Sequence, residues 1–345
     1  MNQEVINEKV SALLDRMSLA QKIGQMIQAE RMAISPEEVR AYHIGSVLSG
    51  GGSCPGQNRP ADWVDMNDAY WMASMEADDE HLAIPLLYGV DAVHGHANVL
   101  GATVFPHNIG LGACNDPDLI ERIAAATGKE ILATGVDWTF APTLAVARND
   151  HWGRTYESYS EDPSITTAYA DRFIAGMQGD LGDASVIACA KHWVGDGGTR
   201  FGMDQGETTL SLAELERLHI APYLPALDAG VLTVMASFNS WNGDKCHGHR
   251  QLLTDVLKGQ LDFDGFTVSD WDGVNYLSED IGEAIALGIN AGIDMLMIGS
   301  DWQPCIEHLH RHVEEGTISM SRIDDAVRRI LTVKHRFGLF DKPRP

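Results

Sequence analysis

Eight short apolar runs, spaced by longer amphipathic stretches, constrain this chain more than any other feature. They are IGQMIQA (23–29), IGSVLSG (44–50), IPLLYGVDA (84–92), GVDWTFAPTL (135–144), VIACAKHWV (186–194), VLTVMASFN (231–239), GFTVSDW (265–271) and IDMLMIG (293–299). Their apolar residues are more continuous than alternating, as expected of parallel strands covered on both faces. Between them lie helix patterns. Ser18-Leu-Ala-Gln21 reads as a capping box. Residues 117–133 and 211–220 have helical periodicity, with Pro222 and Pro225 expected to end or kink the second, and 321–337 stops at Gly338, a C′ glycine. Eight strands with intervening helices in 345 residues predict an α/β fold, a (β/α)8 TIM-type barrel forming a single domain. A doubly wound sheet is the alternative, but no G-x-G-x-x-G follows the first run, and GSVLSGGGS (45–53) lacks the GK[ST] of a P-loop.

Charge narrows the ligand. With 25 basic and 49 acidic residues the net charge is −24, which disfavours nucleic acid, anionic membranes and polyanionic substrates. A neutral ligand such as a sugar fits, although such a charge also serves solubility alone. Five scattered cysteines without a CxxC pair suggest reduced thiols and no zinc ribbon. The first residues, MNQEVINEKV, show no signal-peptide pattern, no apolar run is long enough to span a membrane, and the compartment stays open.

In such a barrel, chemistry sits at the C-terminal ends of the strands. Asp91 closes the third run, and Arg154 lies in the loop after the fourth. Lys191 and His192 close the fifth, Phe238, Asn239 and Trp241 follow the sixth, and Asp270 and Trp271 close the seventh. Carboxylates and long cations can hydrogen-bond sugar hydroxyls, and tryptophans offer flat apolar faces to a pyranose. Plainer readings stand beside these: Asp91 as a helix cap, Lys191 and His192 as a satisfied buried pair, Trp193 and Trp271 as rim packing, Asp272 as a loop or N-cap residue. The HLHRH cluster (308–312) offers a metal-like spacing without an identifiable third ligand and is read as a solvated face, and His94-Gly-His96 is a similarly weak signal. No metal and no cofactor is expected.

At these residues the sequence resembles glycoside hydrolase family 3. Its landmarks run from MSLAQKIGQM (17–26) through YGVDAVHGH, FPHNIGLGA, WGRTYESYSEDP, AKHWVGDGGT, MASFNSWNG, FTVSDWDGV and AGIDMLM to SRIDDAVRRILTVKHRFGLF (321–340). KHWVGDGGT is similar to the β-glucosidase and exo-glucanase branch. The N-acetylhexosaminidase branch carries a histidine in a DSH segment where this chain reads MDQGETT. The resemblance implies that Asp270 is the nucleophile. It implies that Asp91, Arg154, Lys191 and His192 hold the hydroxyls of the terminal sugar, that Trp271 forms an aromatic wall, and that Met235 lies near substrate. Phe238 stands where some members have a tyrosine, which removes a hydroxyl near the nucleophile.

The implied reaction is retaining, exo-acting removal of a terminal sugar from a β-glucoside or short β-glucan, through a glycosyl-Asp270 intermediate. Retention needs a second carboxyl group about 5–5.5 Å from the first. In this branch it commonly comes from a second α/β domain or a loop beyond the barrel. Residues 337–345 are expected to begin the linker to such a domain, in the same chain or supplied by another polypeptide. Glu157, Glu161, Glu207 and Asp204 are acidic and lie in strand-end loops, but none matches a family acid/base. Asp270 is expected to keep a low pKa beside Lys191, Arg154 or His192. The rival readings are a sugar-binding barrel without activity and a phosphate-handling barrel. The acidic loop SDWDGV after the seventh run argues against the latter.

Overall fold

A computed structural model describes residues 3–341. Each of the eight runs contains a strand: β1 Ile27–Glu30, β2 Ser46–Ser49, β3 Leu87–Val90, β4 Trp138–Thr139, β5 Cys189–Trp193, β6 Thr233–Ala236, β7 Phe266–Val268 and β8 Leu296–Ile298. Neighbours pair in parallel from β8 through β1, β2 and β3 to β4, and from β5 through β6 to β7. Parallel bridges Trp138–Ile187 and Val268–Met295 join the two arcs. The strands thus form one closed ring, the (β/α)8 barrel. Trp138 fills its interior, donating from Nε1 to Thr233 Oγ1 at 2.9 Å and meeting Phe140 and Phe266 edge to face.

The strands are shorter than their apolar runs, for local reasons. The Ser18–Gln21 capping box forms and starts the helix Leu19–Gln25, which takes the first half of run 23–29. β4 is two residues long, but backbone bonds from Phe140 N–H to Val90 O and from Lys191 N–H to Pro142 O, and a bridge from Thr143 to Lys191, continue the contact. The stretch 211–220 begins on a second capping box, Ser211 with Glu214. It widens into an i→i+5 turn over Glu216–Ile220 before a new helix, Tyr223–Asp228, starts beyond Pro222. Pro222 stands at the break as expected, whereas Pro225 is accommodated in the first turn of the new helix. Pro117–Leu132 and Met320–Arg336 are helical, and Gly338 takes φ +77°.

Polar groups knit the N-terminal end of the barrel. Lys334 Nζ, fully buried on the last helix, donates to Gln25 Oε1, Gly45 O and Pro85 O at 2.8–2.9 Å. Asp294, also fully buried, accepts from Lys258, Arg322 and the Thr267 backbone N–H. These contacts tie the last helix to the first three strands and β7 to β8. Of the expected linker, Phe337 and Leu339 are buried and Phe340 stacks on His335 at 4.0 Å; residues 342–345 lie outside the described residues. Among the described residues no helix is long and apolar enough to cross a membrane.

Candidate active site

The strand register carries the polar residues to one end of the barrel. Asp91 directly follows β3, Lys191 and His192 lie within β5, Met235 within β6, and Asp270 two residues beyond β7. Arg154 and Glu157 enter from the loop after β4. All of these, with Trp271, line one pocket of about 330 Å³, together with His94, Asn98, His107, Phe140, Tyr156 and Met297.

Two ion pairs and one histidine–carboxylate contact organise this mouth. Lys191 Nζ lies 2.7 Å from Asp91 Oδ1. Burial works against the lysine's charge, but Asp91 and Glu157 outweigh it and raise its pKa. Arg154 forms a two-point bond to Glu157, Nε–Oε1 2.7 Å and Nη2–Oε2 2.9 Å, the planar fork that lysine cannot reproduce. His192, 2 % exposed, contacts Asp196 Oδ2 through Nδ1 at 2.8 Å and Arg154 Nη2 through Nε2 at 3.0 Å. Guanidinium only donates, so Nε2 must carry the lone pair and Nδ1 the proton. Burial first, then Arg154 and Lys191, holds His192 well below its ordinary pKa, so the ring is neutral. Lys191 and His192 are therefore each satisfied, but by carboxylates and Arg154 rather than by one another.

Asp270 is held differently. Its Oδ1 accepts the Trp271 backbone N–H at 2.7 Å. Its Oδ2 is buried without a hydrogen-bond partner, 3.6 Å from His192 Nε2, whose lone pair is already committed to Arg154. Burial pushes the Asp270 pKa up to about 6, with Lys191 and Arg154 pulling only partly against it. The expected low pKa is corrected here: the nearby cations are engaged with Asp91 and Glu157, and desolvation wins.

Trp271 is 39 % exposed at the rim. A side chain at Gly299 would stand 2.6 Å from its Nε1, and one at Gly50 2.9 Å from its Cζ3, so two glycines make room for the indole. Phe238 does not line the pocket; its ring packs on His247 and Tyr276, with centroids 5.6 Å away in each case. Asp91 caps no helix. Asp272 occupies the N-cap position of the short helix Gly273–Tyr276 and accepts from the Gly299 N–H at 3.0 Å. Of the acidic loop residues, only Glu157 reaches the pocket. Glu161 lines a neighbouring groove, Glu207 accepts from the Gly243 N–H, and Asp204 accepts from Trp152 Nε1.

Two partners were not singled out from the sequence. Asp196 sits four residues after His192, a spacing present in HWVGD. His247, which accepts the Asp270 backbone N–H at Nε2 at 2.9 Å, gave no spacing cue, because only the fold brings it to the β7 turn. The 308–312 histidines lie on the helix Trp302–Glu314, where His308 bonds Arg311 and His312, expected at the surface, is instead buried and bonds Gly282 O. No group of three or more His, Cys, Asp or Glu suited to a metal exists among the described residues.

A closed parallel barrel whose mouth gathers carboxylates, cations and a tryptophan around a pocket of about 330 Å³ is an architecture that a glycosidase can use. The chain belongs to glycosyl hydrolase family 3: residues 18–333 match the N-terminal domain of that family. It is 33 % identical to the lysosomal β-glucosidase of Dictyostelium discoideum, covering 100 % of this chain and 46 % of that one. It is 29 % identical to the periplasmic β-glucosidase of Salmonella typhimurium, covering 97 % of this chain and 42 % of that one. The crystal structure of an exo-1,3/1,4-β-glucanase from a Pseudoalteromonas species superposes with a TM-score of 0.95 at 47 % identity, over 99 % of this chain and 44 % of that one. The chain therefore spans about half the length of these relatives.

Proposed function

We propose that this barrel carries the sugar pocket and the nucleophile of a retaining, exo-acting β-glycosidase of the β-glucosidase and exo-glucanase type. The observation that carries the reading is Asp270 Oδ2. It is buried at the pocket and unpartnered, whereas Asp91, Glu157 and Asp196 are bound to Lys191, Arg154 and His192. Oδ2 is the attacking oxygen, and the Trp271 N–H on Oδ1 fixes the rotamer that aims it.

Asp91, Lys191 and Arg154 hold the hydroxyls of the terminal sugar, His192 joins them where a hydroxyl replaces Arg154 at its Nε2, Trp271 covers an apolar face, and Met235 lies on the pocket floor. A pocket near the lower end of the roughly 300–1,000 Å³ range for ligand sites suits one terminal residue rather than a length of chain. In the first step the Oδ2–anomeric carbon bond forms as the glycosidic bond breaks; in the second, water cleaves the glycosyl ester and regenerates the carboxylate. The substrate is a β-glucoside or short β-glucan oligosaccharide, as the relatives' names suggest. The acid/base comes from polypeptide outside the described barrel, in an added α/β domain of the same or another chain. Supporting this, each of the other mouth carboxylates is held by a cation or histidine. Without that acid, hydrolysis should be about 10²–10⁴-fold slower for poor leaving groups.

The pairing of those carboxylates also fits a sugar-binding barrel without turnover. Nitrophenol release from an aryl β-glucoside, by wild type and Asp270→Ala with and without azide, separates the two. Turnover in the wild type alone, faster with azide, supports the glycosidase. Glucoside binding with no Asp270-dependent turnover under any condition favours the binding barrel.

A further inference from the structure

We propose that His247 is the positioning residue for Asp270: its imidazole holds the backbone of the β7 turn so that the carboxylate faces the pocket. The inference rests on Asp270 being the nucleophile and names the group that aims it.

The geometry is specific. The Asp270 N–H points at His247 Nε2, 2.9 Å away. Its carbonyl accepts the Gly273 N–H at 2.9 Å, and its Oδ1 accepts the Trp271 N–H at 2.7 Å. Two of these three restraints lie within the turn itself. His247 supplies the third, and it comes from a different strand loop, the short helix Cys246–Gly248 after β6. The flanking residues Ser269 and Asp272 are bonded to Met295 O and Met297 O, so His247 adds the bond that ties Asp270 itself to the loop after β6. An imidazole accepts through Nε2 only in the neutral, Nδ1-protonated form. His247 is 1 % exposed, and burial pushes its pKa down to about 3, so the ring is neutral at pH 7.

The surroundings are fitted to the ring. A side chain on Gly273 would stand 2.3 Å from His247 Nε2 and 2.5 Å from its Cε1; glycine there leaves the imidazole its place under the turn. Phe238 packs against the same ring, with centroids 5.6 Å apart, which gives that residue a task away from substrate. Phe238 braces His247, and His247 holds Asp270. A displacement of about 1 Å at a reacting group can cost about 10²-fold in rate, so loss of the acceptor should appear in the chemical step.

The test is labelling by 2,4-dinitrophenyl 2-deoxy-2-fluoro-β-glucoside, whose leaving group needs no general acid, followed by mass spectrometry of the peptide bearing Asp270. His247→Leu removes the acceptor. His247→Gln can return an amide oxygen to the Nε2 position. Gly273→Ala presses on the imidazole at Nε2 and Cε1, from the turn side, and covers the case in which the leucine variant fails to fold. The expected result is labelling of Asp270 in the wild type, about 10–100-fold slower in His247→Leu and in Gly273→Ala. His247→Gln should stay within about tenfold of wild type, with gluconolactone binding nearly constant in all. Equal labelling rates in wild type, His247→Leu and Gly273→Ala would overturn the proposal, as would equal losses in the Leu and Gln variants, which would make the ring mere filling. A wild type that takes label elsewhere, or none, would remove Asp270 as nucleophile and this inference with it.

Discussion

His192 Nδ1 and Asp196 Oδ2 are 2.8 Å apart, and this contact decides what the other side of the ring can do. With the proton on Nδ1, Nε2 accepts from Arg154 and stays silent toward Asp270 Oδ2, 3.6 Å away. Asp196→Asn keeps an oxygen acceptor for Nδ1–H, whereas Asp196→Ala frees the ring to exchange tautomers and turn against Arg154. We expect kcat/KM on an aryl β-glucoside to fall about tenfold or more in Asp196→Ala and about threefold or less in Asp196→Asn. Parallel measurement of both variants checks this.

The same two carboxyls make a pH prediction that separates them. Burial pushes Asp196 up to about 7 and Asp270 up to about 6. Only an ionised Asp270 can attack, so kcat/KM should rise with pH through about 6 and then level off. If Asp270 sets this limb, it stays near 6 in Asp196→Asn. A limb that vanishes with that substitution would assign the titration to Asp196 instead.

Asp270→Asn should abolish turnover and stabilise the protein at neutral pH. A folded-state pKa of about 6 lies above the ordinary 3.8. The stability tied to protonation is therefore fully present below pH 3.8 and lost as pH rises through 6. A neutral amide does not lose it, and its oxygen still accepts the Trp271 N–H. The gain should approach about 1–3 kcal/mol above pH 7 and shrink toward nothing near pH 4. Thermal unfolding of both proteins across this range provides the measurement.

These predictions draw on features of unequal legibility in the sequence. The barrel was readable because each strand is a continuous apolar run, and strand ends are where barrels keep their chemistry, so Asp91, Lys191, His192 and Asp270 could be picked from position alone. Strand limits were less readable: the start of the first run, Ile23–Gln25, suits a strand or a helix, and the helix begun at the Ser18 cap takes it. The acidity of Asp270 was misjudged because the sequence shows which cations are near but not that Asp91 and Glu157 already hold them. His247 stayed hidden because its partner is a backbone N–H 23 residues away, and backbone groups leave no mark in a sequence.

At the opposite end of the barrel, Lys334 tests stability apart from chemistry. Its three donors meet three carbonyl oxygens, two of the backbone and one of Gln25, in a fully buried site. Lys334→Met matches the stem but leaves those acceptors dry. Each orphaned buried group costs about 1–3 kcal/mol, partly relieved by relaxation. Denaturant unfolding should show a loss of about 2–4 kcal/mol, with kcat/KM per folded molecule unchanged. A comparable loss of activity in the folded fraction would mean that this end communicates with the mouth.

Trp271 can be moved without being mutated. A methyl at Gly299 would stand 2.6 Å from the indole Nε1 and 2.8 Å from Asp272 Oδ2, contacts that neither atom can keep. Asp272 also accepts the Gly299 N–H, so it has little freedom to withdraw, and the indole, 39 % exposed at the rim, is the part that yields. Gly50→Ala presses on the opposite edge of the same ring, where a methyl would lie 2.9 Å from Cζ3. If the indole serves as the sugar-facing wall, both changes should raise KM about tenfold and alter kcat much less, because a stacking face binds ground and transition states alike. Steady-state kinetics with tryptophan fluorescence as the reporter of ring movement checks this. Fluorescence that shifts while KM holds would leave Trp271 as rim packing and transfer recognition of the sugar face to other residues of the pocket.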